Sequence, residues 1–142
     1  MTQPAALELL IPHIAPTDAV ARTVLLAIRR LAIGGLDDAH ATSLFMGHFG
    51  MAYRRPLMFL RVLMAEVSRI AQHPITIAPS CCPRMTEGEA AFLLLIDCSR
   101  SDPLVARTAL SRVTSSLDTM AAVSVAQALA DSLDDLGRPF SL

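Results

Sequence analysis

At 142 residues the chain is long enough to bury a core and short enough to be a single domain spanning 1–142. Hydrophobic residues make up 53% and charged residues 18%, which is apolar for a soluble protein, yet no uncharged run reaches the about 20 residues of a bilayer-spanning helix. The stretch MTQPAALELLIPHIAP has no basic start and carries Glu8, so neither a membrane partner nor a secretory signal is expected, and three cysteines then read as reduced thiols of a cytoplasmic protein.

Residues 1–16 hold Pro4, Pro12 and Pro16, so they are expected to form an N-terminal arm packed through Leu7, Leu9, Leu10 and Ile11. Thr17 or Asp18 caps a first helix to about Ile33, with Val20, Val24, Ile28 and Leu31 inward and Gly34-Gly35 as its stop. Arg22 and Arg29, seven apart, are expected on nearly one line of its surface. Asp37-Asp38 opens a second helix through about Phe49, with Ala41, Leu44, Phe45 and His48 inward. Tyr53-Arg54-Arg55 leads into Pro56, a favourable first helical position, and a third helix over about 56–72. Its apolar face is Leu57, Leu60, Leu63, Met64, Val67 and Ala71; Arg61, Ser68 and Gln72 mark the opposite side, and Glu66 is expected to pair with Arg69.

Pro74 and Pro79 bound PITIAPS, and no second strand signal accompanies its Ile75-Thr76-Ile77. An extended proline-bounded crossing over 74–85 is therefore expected. Thr86-Glu87-Gly88-Glu89 matches a capping box, so the all-apolar run 90–96 reads as a central fourth helix rather than a buried strand. Asp102-Pro103 starts a fifth helix over about 103–116 with Ala106, Leu110, Val113 and Leu117 inward. A sixth covers about 119–136, with a seam of Ala122, Ala126, Leu129, Leu133 and Leu136, and Gly137 and Pro139 end it. The fold class is thus all-α: a single-domain bundle of about six helices.

Charge is unevenly spread. Residues 18–85 carry eight arginines against four acids, and residues 86–142 carry four against eight. Every basic residue is arginine, the planar donor suited to carboxylates and phosphates. The interaction or anion-binding candidates are Arg54, Arg55, Arg61, Arg69 and Arg84. Asp131, Asp134 and Asp135 crowd a helix C-terminus, where the dipole disfavours acids. They are expected to meet arginines of the first or third helix, or of a second subunit. No helix-turn-helix or RNA-binding motif is present and only one tyrosine is available for base stacking, so nucleic acid is not an expected partner.

The chemically unusual segment is Ser80-Cys81-Cys82-Pro83-Arg84-Met85. Its thiols precede a helix N-terminus beside an arginine, a setting that favours thiolate, although small buried cysteines are also common packing residues. Cys81, Cys82, Cys98 and His73 supply four possible zinc ligands without any standard finger spacing. Cys82-Pro83 resembles the cysteine–proline motif of proteins that bind regulatory haem. No G-x-S-x-G, P-loop, GxGxxG or HExxH is present, and catalysis is not expected. Together, GGLDDAHA (34–41), YRRPL (53–57) and SCCPRMT (80–86) resemble an uncharacterised family of small bacterial proteins. That resemblance implies a bacterial, cytoplasmic origin and no particular activity or cofactor. The expected function is a non-enzymatic interaction protein, a homo-oligomer or small adaptor. The alternatives are a thiol-based redox, metal or haem sensor at Cys81/Cys82, or an apolar-ligand carrier with a cavity lined by Met46, Phe59, Met64 or Phe92.

Overall fold

A computed structural model describes residues 11–142; the expected packing of Leu7, Leu9 and Leu10 lies outside the described residues. The described chain contains six α-helices: α1 (Ala19–Gly34), α2 (Ala39–Phe49), α3 (Arg54–Ile70), α4 (Glu87–Cys98), α5 (Pro103–Thr114) and α6 (Met120–Asp135). A 3₁₀ turn, Gly50–Ala52, links α2 to α3. The all-α expectation holds, and among the described residues no helix is long and apolar enough to cross a membrane.

Local chemistry sets the helix ends. The Asp18 carboxylate accepts from the Ala21 N–H, and the Asp38 carboxylate accepts from that of Ala41, each supplying a first-turn donor with a partner. Thr86 and Glu89 form the expected reciprocal capping box at α4. The third helix starts at Arg54 rather than at Pro56, because the 3₁₀ turn runs straight into it. Pro56 still sits in the first turn, where its missing N–H costs no helical bond. Ser115 adopts a left-handed φ of 57° and ends α5 at Thr114. Leu117, expected to face inward from that helix, therefore lies in the following loop at 87% exposure.

The helices pack α1 on α2, α3 on α6 and α4 on α5, with α4 also against α6 and α1. Leu93, Leu95 and Ile96 of α4 are almost wholly buried within one continuous core, as its all-apolar sequence implies. Two short strands depart from the expectation. β1 (His13–Ile14) pairs antiparallel with β2 (Arg84–Met85), so the end of the crossing, not Ile75–Ile77, makes the strand contact. Arg84 reinforces it, donating from Nε to the Ile11 carbonyl at 2.8 Å and from Nη2 to the Pro12 carbonyl at 2.7 Å. The crossing itself lies close on α4. A Cβ on Gly88 would overlap the Ile75 side chain, so only glycine admits this approach.

Candidate functional site

The crossing is organised by a buried ion pair. Arg29, expected on the surface beside Arg22, is 1% exposed, and Glu89 is fully buried. The Arg29 Nε donates to Glu89 Oε2 at 2.7 Å and its Nη2 donates to Oε1 at 3.2 Å. The same guanidinium donates to the Cys82 carbonyl at 2.8 Å and to the Arg84 carbonyl at 2.8 Å. Glu89 also accepts from the Thr86 and Ala78 N–H groups. Burying a charge in a helical core requires a partner and filled hydrogen-bonding capacity. Arg29 and Glu89 satisfy each other and fix the backbone of residues 78–86.

This node changes the reading of the thiols. The capping box fills the N-terminus of α4 with its own Glu89 and Thr86, and β2 separates Cys82 from that helix end. Arg84 spends its donors on the carbonyls of residues 11 and 12. The helix end and the Arg84 guanidinium are thus engaged by partners other than the thiols. Cys81 instead sits with Ser80 at the tip of a turn that Cys82 closes, its N–H donating to the Pro79 carbonyl at 3.0 Å. Cys81 is exposed and Cys82 half-buried. Both line a cleft of about 410 Å³ together with Pro16, Arg22, Leu25 and Leu26.

The four expected zinc ligands are not brought together. His73 stands beside Ser115, its Nε2 3.0 Å from the hydroxyl. Cys98 ends α4, at the opposite end of a 12-residue helix from the cysteine turn. Burial, followed by the nearby Asp97 and Asp102 carboxylates, raises the Cys98 thiol above its ordinary pKa. Among the described residues no group of three His, Cys, Asp or Glu side chains is arranged to hold a metal ion.

The arginines of α3 divide by direction. Arg54 and Arg55 are exposed, each with its guanidinium carbon 5.9 Å from a ring centroid, of Tyr53 and Phe59 respectively. Arg61 donates to the Thr42 hydroxyl at 2.9 Å, tying α3 to α2. Arg69 binds Glu66 as expected and also Asp118, at 2.6 and 3.1 Å. Its hydrogen bond holds the Glu66 carboxyl below its ordinary pKa. Between these ends the exposed apolar positions are Met58, at 50% exposure, Val62, at 46%, and Ala65. Met51 is exposed at the N-terminal end of α3 and Leu117 at its C-terminal end, beside Asp118.

The acidic end of α6 finds a different partner from those expected. Asp131 and Asp134 share Arg100, which follows the end of α4, rather than an arginine of the first or third helix. Asp135 is exposed with no ion-pair partner among the described residues. A separate open groove of about 610 Å³ lies between α1, α3 and the crossing, and its lining includes Leu31, Met64, Ile75, Phe92, Gln72 and His73. Of the four residues expected to line an apolar cavity, Met64 and Phe92 are there and Met46 and Phe59 are not.

A family described as one of unknown function, DUF6628, matches residues 5–138. The chain belongs to that family. No curated protein and no solved structure matches the chain. The family match includes the Arg29–Glu89 pair, the cysteine turn and the whole of α3.

Sequence reasoning missed the pair itself. The available signal was Glu89, a carboxylate one residue before a run apolar on every side, which demands a buried cation. It also missed the exposed Met51, Met58 and Val62, because an i, i+3, i+4 pattern defines the buried face and says little about apolar residues opposite it.

Proposed function

We propose that the protein is a non-enzymatic interaction module of the cytoplasm, a homodimer that pairs through the open face of α3. The single observation carrying this reading is the exposed stripe Met58–Val62–Ala65, framed by unpaired arginine at one end and excess acid at the other. At the first end Arg54 and Arg55 have no carboxylate partner among the described residues. At the second, one guanidinium, Arg69, serves two carboxylates, Glu66 and Asp118.

A two-fold axis beside Val62 would run two copies of α3 antiparallel. It would set Val62 against the partner's Val62, Met58 against the partner's Ala65, and Arg55 towards the partner's Asp118. Such a contact is isologous and therefore closes at two subunits. A stable interface needs about 800 Å² from each partner. A 17-residue helix is about 25 Å long. Thus α3 supplies the seam and exposed Met51 and Leu117 extend it at either end.

Light scattering with size-exclusion chromatography tests the reading. The native chain should run at twice its 15.2 kDa mass. Val62→Arg places like charges across the axis and should raise the dissociation constant about 100-fold or more. A native chain that is monomeric at about 100 µM, or a Val62→Arg variant that dimerises equally well, overturns it.

A further inference from the structure

We propose that Cys81 and Cys82 form a peroxide-oxidised dithiol whose closure to a vicinal disulfide loosens the grip of Arg29 on the crossing. This inference does not rest on dimerisation through α3. Cys81 is the exposed thiol at the turn tip and opens on the cleft lined by Arg22, so it meets a hydroperoxide first. Half-buried Cys82 is its immediate neighbour and serves as the resolving thiol.

The chemistry balances with hydrogen peroxide as oxidant. The Cys81 sulfur attacks one peroxide oxygen, an S–O bond forms, the O–O bond breaks, and water leaves to give the sulfenic acid. The Cys82 sulfur then attacks the Cys81 sulfur, an S–S bond forms, the S–O bond breaks, and the Cys82 proton leaves with the hydroxyl as a second water. Two thiols surrender two electrons and one peroxide is reduced to two waters.

The backbone makes this closure consequential. Consecutive Cα atoms lie about 3.8 Å apart, whereas disulfides usually span about 4.4–6.8 Å. An eight-membered ring through the Cys81–Cys82 peptide must therefore reorient that peptide. The flanking groups it would move are the Cys82 N–H, which closes the turn on Pro79, and the Cys82 carbonyl, which receives Arg29 Nη1 at 2.8 Å. A strained disulfide is also readily reduced, so the state is reversible by a dithiol. The change reaches Glu89 through Arg29, and from Glu89 the Ala78 and Thr86 N–H groups.

The test uses the full chain carrying Cys98→Ser, treated with hydrogen peroxide and followed by intact mass and hydrogen exchange. The expected product is a single chain, not disulfide-linked to another, lighter by two hydrogens, resistant to iodoacetamide and restored by dithiothreitol. In that product the Ala78 and Thr86 amides should exchange about tenfold faster than in the reduced chain. Cys82→Ser should stop the reaction at a sulfenic acid that dimedone traps, and Cys81→Ser should abolish it. A chain that only gains oxygen, that links between molecules, or that does not react overturns the proposal. Closure with unchanged exchange at residues 78 and 86 overturns its coupling to Arg29.

Discussion

Replacing Arg29 by methionine keeps much of the apolar stem and removes five polar contacts at once. These are two donations to Glu89, those to the Cys82 and Arg84 carbonyls, and a longer one to Ser80 at 3.5 Å. Glu89, with no exposure to water, is left as a buried carboxylate held only by backbone and cap donors. Breaking a buried pair in this way costs about 3–5 kcal/mol. A domain of this size holds about 5–15 kcal/mol in total. Unfolding entropy of about 2.1 cal/mol/K per residue over 142 residues converts that loss to a fall of roughly 10–17 °C in Tm. Arg22→Met, on the exposed side of the same helix, should stay within about 0.5 kcal/mol of the native chain. Urea unfolding followed by circular dichroism measures both. Adding Glu89→Gln to Arg29→Met should return part of the loss, because the abandoned charge accounts for most of it. An Arg29→Met variant within about 1 kcal/mol of the native chain, or a double variant no better than the single one, would refute the role assigned to the pair.

Three further outcomes are expected. Gly88→Ala should cost about 1–3 kcal/mol, since its methyl meets the Ile75 side chain and lies 3.2 Å from the Thr76 carbonyl; an unchanged urea midpoint would contradict the close crossing. Arg100→Ala should change stability by no more than about 1 kcal/mol, because its pairs with Asp131 and Asp134 are solvent-exposed; a larger loss that persists in high salt would contradict this. Hydrogen bonds from Arg69 and Arg30 hold Glu66 and Asp38 below their ordinary values of 4.5 and 3.8. A depressed carboxylate stabilises the fold above its unfolded pKa and loses that contribution as pH falls through the folded one. Stability should therefore decline on acidification below about pH 4.5, and Glu66→Gln should flatten the decline; an identical slope in the variant would contradict it.

Local signals carried most of the helices. Asp18, Asp38, Thr86 and Asp102 each cap the helix that their spacing implies. The capping box separated a central helix from a buried strand over 90–96, where periodicity alone gives no answer. What sequence did not disclose was long-range pairing. Arg29 and Glu89 are 60 positions apart, and a single arginine among apolar neighbours on a helix looks the same whether it faces water or a buried carboxylate. The two-residue strands are too short to leave an alternation, so the partnership of His13–Ile14 with Arg84–Met85 had no sequence signature. For the acidic end of α6 the local rule was sound: Asp131 and Asp134 do meet an arginine. Which one depended on how α4 ends, with Arg100 just beyond it.

A cysteine at position 62 gives the most direct test of the proposed dimer. In a chain carrying Val62→Cys with Cys81→Ser, Cys82→Ser and Cys98→Ser, the two-fold axis would set the only thiol beside its own copy. Mild oxidation should then convert most of the protein to a disulfide-linked species of twice the chain mass, readable by intact mass under non-reducing conditions. The same background carrying Ser101→Cys, exposed in the turn before α5, should remain largely single-chain. A Val62→Cys chain that cross-links no faster than the Ser101→Cys control would contradict pairing through α3.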